Sequence, residues 1–281
     1  MTTKLLDRLF KIPLKARLYS RIRKQTPRSW KVFLSRNFFG LLSVEAAKKD
    51  IEAIGHNRLV LAARYIKGSG IEIGALGRPC PVPPDVKVKY LDRFDDKGLL
   101  TDFPEIDYKI KRPDIIDSAE TMETVADNSQ DFVIANHVIE HLPNPLSFIK
   151  NAVRVVKSGG VLYIGIPNKD VTFDHSRPIT TFEHLMSDYK NGPAASRMGH
   201  YEEYVRLADN HNAAQAWKTE EECQALIKKL EKEDYSIHYH VWDTWAMLEM
   251  FMKAKEAFNL PIKLEASVVT KDDALFILRK Q

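Results

Sequence analysis

The chain has 281 residues, 44% hydrophobic and 28% charged, which is enough to bury a sizeable core and ordinary for a globular protein. No run of about 18 apolar residues is present, which excludes a membrane-spanning helix, and no short apolar leader with a small-residue cleavage site is visible. Cys80 and Cys223 stand far apart, form no CxxC pair and suit a reducing, cytoplasmic compartment, with no disulfide, thiolate site or other metal centre expected.

The net charge of +4 hides an asymmetry. Residues 1–37 carry eleven Lys and Arg against the single acid Asp7, whereas the remainder is net acidic. This arm reads as short helices broken by Pro13 and Pro27, with Leu14, Leu18 and Ile22 on one face and basic residues around them. Such an arm can dock on an anionic membrane surface, address the chain to an organelle, or pack on the main domain. Nucleic acid is a secondary reading, because aromatic residues are poorly interleaved with the charges.

Ser43 to Lys67 reads as a helix stopped by Gly68 and Gly70. Residues 1–67 therefore form a basic helical extension, and residues 68–281 form the main domain. Strands are expected at Gly70–Ile73, Val86–Leu91, Ile115–Ile116, Asp131–Ala135 and Val161–Ile166, with a helix at Pro145–Val156. This alternation predicts an α/β fold with a parallel sheet covered by helices. A polar insert at about residues 173–235 follows, with a charged helix near Thr219 to Glu233. A long helix at Trp242–Phe258, with Trp242 and Trp245 in its core, precedes two strands, Ile262–Val269 and Ala274–Leu278, joined by a turn around Lys271 to Asp273. The pair reads as a terminal antiparallel hairpin.

Three strand ends carry chemistry. IEIGALGRPCPVP (Ile71–Pro83) is a strand ending in an acid and a glycine turn, and eighteen residues after Gly74 the run VKVKYLD closes on Asp92. DFVIANHVIEHLPNP (Asp131–Pro145) and VVKSGGVLYIGIPN (Val155–Asn168) supply the next two. Strand ends of this kind point at one crevice suited to a nucleoside-like ligand, with Asp92 available to ribose hydroxyls.

At these residues the chain resembles the class I S-adenosylmethionine-dependent methyltransferases. EIG (Glu72–Gly74) is similar to their first motif, YLD to the end of the second strand, DSAE (Asp117–Glu120) to the region near adenine, and the two later segments to the fourth and fifth strand motifs. ALGRPCPVP with FDHSRPITTFEHL resembles a bacterial branch associated with glycosyltransferases and surface-polysaccharide synthesis. The resemblance implies a Rossmann-like sheet of seven strands with a terminal antiparallel hairpin, S-adenosyl-L-methionine as cofactor, and a small-molecule or glycan acceptor methylated at oxygen. It places Glu72, Gly74 and Ala75 under the methionine part of the cofactor. Asp92 falls at the ribose, Asp117 or Glu120 near the adenine, and Asn136 and His137 beside the sulfonium. One departure stands out: Leu76 and Arg78 occupy the positions of the motif's next two glycines.

A hydroxyl acceptor needs a base within reach of its proton. His137, His141, His184, His238, His240 and Asp174 are the candidates, with His141 and His184 favoured as catalytic residues. Two rival readings are carried forward. HVIEH (His137–His141) matches the HxxEH pattern of zinc hydrolases, although an apolar strand before it and Pro143 and Pro145 after it leave little room for a two-ligand helix. The fold can also serve assembly or regulation without catalysis.

Overall fold

The computed structural model describes residues 54–102, 109–208, 217, 219–270 and 273–281. The basic arm and the first part of the predicted 43–67 helix lie outside these residues, as do Lys271 and Asp272 of the predicted turn. The compact unit described is Glu52–Gln281.

Its elements are helix α1 (Ile54–Tyr65), strands β1 (Ser69–Ile73) and β2 (Lys87–Asp92), helix α2 (Asp96–Asp102), strands β3 (Ile115–Ile116) and β4 (Gln130–Asn136), helix α3 (Pro145–Val155) and strand β5 (Val156–Pro167). The insert then contributes helices α4 (Phe182–Asn191), α5 (Arg197–Leu207) and α6 (Glu220–Lys232). Helix α7 (Thr244–Ala257) and strands β6 (Ile262–Val269) and β7 (Asp273–Lys280) complete the unit. The seven strands lie in the order β3-β2-β1-β4-β5-β7-β6. The first five are parallel, while β7 runs antiparallel to both β5 and β6. This is the expected α/β architecture with its terminal antiparallel pair. The strand order reverses between β1 and β4, the place where a ligand crevice opens at the carboxyl ends of a parallel sheet.

Period-two alternation sends successive side chains to opposite faces. Val133, Ala135, Leu162, Ile164, Phe276 and Leu278 face helices α3 and α7 through Phe148, Ile149, Met250 and Phe251. Phe132, Ile134, Tyr163, Leu275 and Ile277 face α1 through Leu61 and Ala62. Each fully buried large apolar side chain contributes about 1.5–3 kcal/mol. Helix α1 is also fastened by Arg58, which bonds Asp273 Oδ2 at 2.7 Å and accepts Tyr163 Oη–H at its carbonyl. The insert has a separate core of Tyr201, Tyr204, Val205, Cys223, Ile227 and Leu230.

Two expectations need correction. Strand β5 begins at Val156, directly after α3, not at Val161. Gly159, at φ +78°, and a register shift between Gln130 and Phe132 absorb the intervening residues. Trp245 is 79% exposed, because the inward face of α7 is formed by Met247, Met250, Phe251 and Ala254. Trp242 is buried but precedes the helix, in an isolated bridge with Asn168.

Candidate functional site

A cavity of about 300 Å3 opens at the carboxyl ends of β1, β2 and β4. Its lining includes Gly74, Asp92, Glu120, His137, His141 and Ser236. Five residues singled out in the sequence thus meet in one crevice.

The turn after β1 is shaped by close packing. Gly74 has φ +64°, and a Cβ there would lie 2.9 Å from Val138 Cγ2, so any larger side chain would collide with the loop after β4. Leu76 also takes a left-handed conformation, φ +44°, keeping the turn although the glycine of the motif is absent. Glu72 lies beneath the turn, 2% exposed, with Oε1 accepting the Cys80 amide at 2.7 Å and Oε2 without a hydrogen-bond partner. Burial pushes its carboxyl up to about 7, against the lowering effect of that amide.

Asp92 ends β2, where Oδ1 accepts the Arg93 amide at 2.8 Å. Glu120 Oε1 accepts the Asn144 amide at 2.6 Å, and burial raises its pKa despite this bond. Asp117 is placed differently: it does not line the crevice, although Ser118 and Ala119 do. Its carboxylate binds the Ser118 amide at 2.7 Å and both the amide and hydroxyl of Thr124 at 2.7 and 2.6 Å. Burial raises the Asp117 pKa, but these bonds outweigh it and leave the group below the usual range. Ala75 sits in the turn, where its carbonyl accepts the Arg78 amide at 2.9 Å. Asn136 packs against Gly165, whose missing Cβ would sit 2.6 Å from Asn136 Oδ1; Asn136 is not among the cavity-lining residues.

His137 has φ +55° and lies between two buried carboxylates, with Nε2 3.4 Å from Asp273 Oδ2 and Nδ1 3.6 Å from Glu140 Oε1. His141 Nδ1 lies 3.0 Å from the Ile237 carbonyl. Ser236 Oγ lies 3.1 Å from the same nitrogen; with Nδ1–H donating to the carbonyl, which only accepts, Nε2 carries the lone pair. Burial, then the neighbouring His238, holds the His141 pKa well below its ordinary value. Between these histidines the chain forms a single 3-10 turn, Ile139–His141, rather than a helix. His137 and His141 are therefore directed to separate partners, which removes the geometry an HxxEH zinc site requires.

Residues 105–164 match the family model described as a methyltransferase domain. Over those residues the chain is similar to a methyltransferase domain, and its seven-stranded sheet has the strand order and terminal antiparallel pair expected from the class I resemblance. Similar solved structures include a candidate methyltransferase from Bacillus halodurans, 16% identical over 81% of this chain and 98% of that one, TM-score 0.45. A candidate zinc-dependent alcohol dehydrogenase from Rhodobacter sphaeroides is 12% identical over 83% and 90%, TM-score 0.48. A methyltransferase from Aquifex aeolicus is 13% identical over 83% and 96%, TM-score 0.40. No curated protein matches the chain.

S-adenosylmethionine is the cofactor that similarity to this methyltransferase family implies. The residues present fit it: Gly74 lines the cavity at the turn, and a buried acid with an unpartnered oxygen lies below. The cofactor carries no pyrophosphate, which is consistent with a proline-rich segment where dinucleotide folds start a helix.

His184 does not line this crevice; it lines a second cavity beside the insert helices. The burial of Glu140 and the pairing of Asp174 with His238 escaped sequence reasoning. Glu140 is fully buried with no hydrogen-bond partner on either side-chain oxygen, and burial raises its pKa. Asp174 Oδ2 lies 2.6 Å from His238 Nδ1, while Arg177 Nη1 donates to Asp174 Oδ1 at 2.8 Å. Asp174 and His238 are 64 residues apart, and no local pattern pairs them.

Proposed function

We propose that this domain transfers a methyl group from S-adenosylmethionine to an oxygen of a sugar, a glycan or another small acceptor. The observation that carries the reading is His141, on the crevice wall, neutral and with Nδ1 already committed to a backbone carbonyl. When bound, the cofactor supplies a methyl on a sulfonium, an electrophile with an activated leaving group. Gly74, Ala75 and Glu72 would shape the floor beneath its amino-acid portion, Asp92 would receive the ribose hydroxyls, and Glu120 and the Asp117 turn would border the adenine. Asn136 and His137 would form the wall near the sulfonium.

The chain's own work is alignment and exclusion of water, worth up to about 7–11 kcal/mol at ideal geometry. His141 accepts the acceptor's hydroxyl proton at Nε2. Glu140, with ligand-type atoms of His141 and His238 all within 4.8 Å of its carboxylate, offsets the charge His141 then gains. We place the enzyme in the cytoplasm, with residues 1–37 attracted to anionic membrane. Two buried, unpaired cysteines suit that compartment, and among the described residues no helix is long and apolar enough to cross a membrane.

The test is to incubate the full chain with methyl-labelled cofactor and separated lipid, glycan, small-molecule and RNA fractions of its host. Label should enter the glycan or small-molecule fraction. It should fall about 10²–10⁴-fold for His141→Asn, while S-adenosylhomocysteine binding persists. Label confined to RNA, or turnover indifferent to His141, defeats the reading.

A further inference from the structure

Away from the crevice, the insert gathers three imidazoles around one carboxylate. His184 and Asp188 sit one turn apart on α4, His200 comes from α5, and His240 from the extended segment before α7. His184 Nε2 lies 3.2 Å from Asp188 Oδ2, His200 Nε2 3.6 Å and His240 Nε2 3.8 Å from the same oxygen. His184 Nε2 and His200 Nε2 are 3.2 Å apart. One possible ligand atom from each of the four residues falls within 4.8 Å of all the others.

A hydrogen-bonded polar cluster is the simpler account, and it leaves this arrangement unsatisfied. Asp188 is 2% exposed, yet its Oδ2 has no hydrogen-bond partner despite three nearby ring nitrogens. His240 is fully buried; its Nε2 also lies 3.4 Å from the Pro143 carbonyl, and its Nδ1 has no partner. Buried polar groups are normally satisfied, so two orphans in one cluster call for an explanation. Three imidazoles closing on one buried carboxylate oxygen make the mixed nitrogen and oxygen donor set of a transition-metal cation.

The geometry points to a divalent transition-metal site, zinc before others, held by His184, Asp188, His200 and His240. Zinc bonds of about 2.0–2.1 Å set tetrahedral ligand-to-ligand edges of about 3.3 Å, close to the spacings here. Nitrogen ligands select against Mg2+ and Ca2+, which prefer all-oxygen shells. The carboxylate is oriented from outside, since Ser196 Oγ donates to Asp188 Oδ1 at 2.5 Å. With four protein ligands the site is structural: it ties α4 and α5 to the 236–243 segment. That segment also carries Ser236 and His238 to the crevice side, and its Tyr239 and His240 amides bond the Glu140 carbonyl at 2.7 and 3.3 Å. His184 then acts as a ligand rather than as a base. This assignment does not depend on the methyl acceptor.

Metal analysis of the full chain, purified without chelator or affinity metal, tests the site. About one zinc per chain is expected. Cobalt substitution should give the visible absorption of tetrahedral Co2+. Because Asp188→Asn could impair folding, the half-exposed His184→Ala is made beside it; each should lose at least tenfold of the metal while circular dichroism stays native. Ser196→Ala should weaken zinc about 10-fold. His141→Ala serves as the control for the Glu140, His141 and His238 group and should keep its zinc. A chain that takes up neither zinc nor cobalt overturns the assignment. So does metal that survives both His184→Ala and Asp188→Asn, or that leaves with His141→Ala alone.

Discussion

The sheet-edge crevice and the helical insert handle ionisable side chains in opposite ways. At the crevice, carboxylates are tied to backbone amides: Glu72 to Cys80, Asp92 to Arg93, Asp117 to Ser118 and Thr124, Glu120 to Asn144. Each fixes a loop, and together they hold open a space for something else. In the insert, His184, Asp188, His200 and His240 face one another across a few ångströms, and Asp188 Oδ2 receives no hydrogen bond. The first arrangement shapes a cavity around an organic ligand. The second brings donor atoms together around one point, which suits an ion. Polar residues in a fold are therefore informative through where their hydrogen bonds go, more than through their type.

The largest expected effect tests how far the sheet side depends on a buried charge. Asp273 is fully buried, bonded to Arg58 and Thr270 and close to His137. Burial raises its pKa, but these partners outweigh it and hold the carboxyl below the usual range. Arg58→Ala removes the permanent cation and should cost about 3–5 kcal/mol, read as a lower urea midpoint at pH 7. A loss below about 1 kcal/mol would mean that Asp273 does not depend on Arg58, and the sheet side would be more adaptable than the contrast allows.

Glu72 gives a pH signature of similar size. Its folded pKa, about 7, lies above the unfolded value of 4.5, so the folded state holds the proton more tightly. Its contribution is complete below pH 4.5 and is lost as pH rises toward and through 7. Glu72→Gln, which can still accept the Cys80 amide, should flatten stability across that window by on the order of 3 kcal/mol. Denaturant titrations at pH 5 and pH 8 compare the two chains. An unchanged slope would show that Glu72 ionises freely and is not sealed beneath the turn.

Asp92→Ala addresses the ligand directly. Losing hydrogen bonds to a carboxylate costs about 1.5–3 kcal/mol, or on the order of 10- to 150-fold in S-adenosylhomocysteine affinity by calorimetry. Zinc content should not change. Parallel loss of both would merge the two regions into one site.

The sequence disclosed these regions unequally, for a physical reason. Glu72, Gly74 and Asp92 belong to strand–turn–acid patterns that are local, so spacing alone brings them to the carboxyl edge of a parallel sheet. Even Leu76 could be flagged as a departure, although its φ of +44° shows that the turn tolerates it. Asp117 reads as a ligand residue by position, yet its carboxylate is spent on Ser118 and Thr124. The insert's cluster draws on residues from 184 to 240, joined by packing of α5 and α6 through Tyr201, Ile227 and Leu230. No periodicity encodes that meeting. His184 and His240 were visible as chemistry, while Asp188 and His200 were not.

The smallest effect is also the sharpest test of whether the two regions are separate. Thr219 caps α6 in a reciprocal box: its Oγ1 accepts the Glu222 amide at 3.3 Å, and Glu222 Oε2 accepts the Thr219 amide at 3.2 Å. Thr219→Ala should cost about 1 kcal/mol. Helix α6 directs Cys223, Ile227 and Leu230 into the insert's own core, apart from the two sheet faces. If that core opens as a unit, amide exchange should quicken about fivefold in α5 and α6 and stay unchanged in β1, β4 and β5. Uniform acceleration through the sheet would instead mean that the insert opens only when everything does. The two arrangements of polar groups would then share one cooperative fate, however differently their hydrogen bonds are drawn.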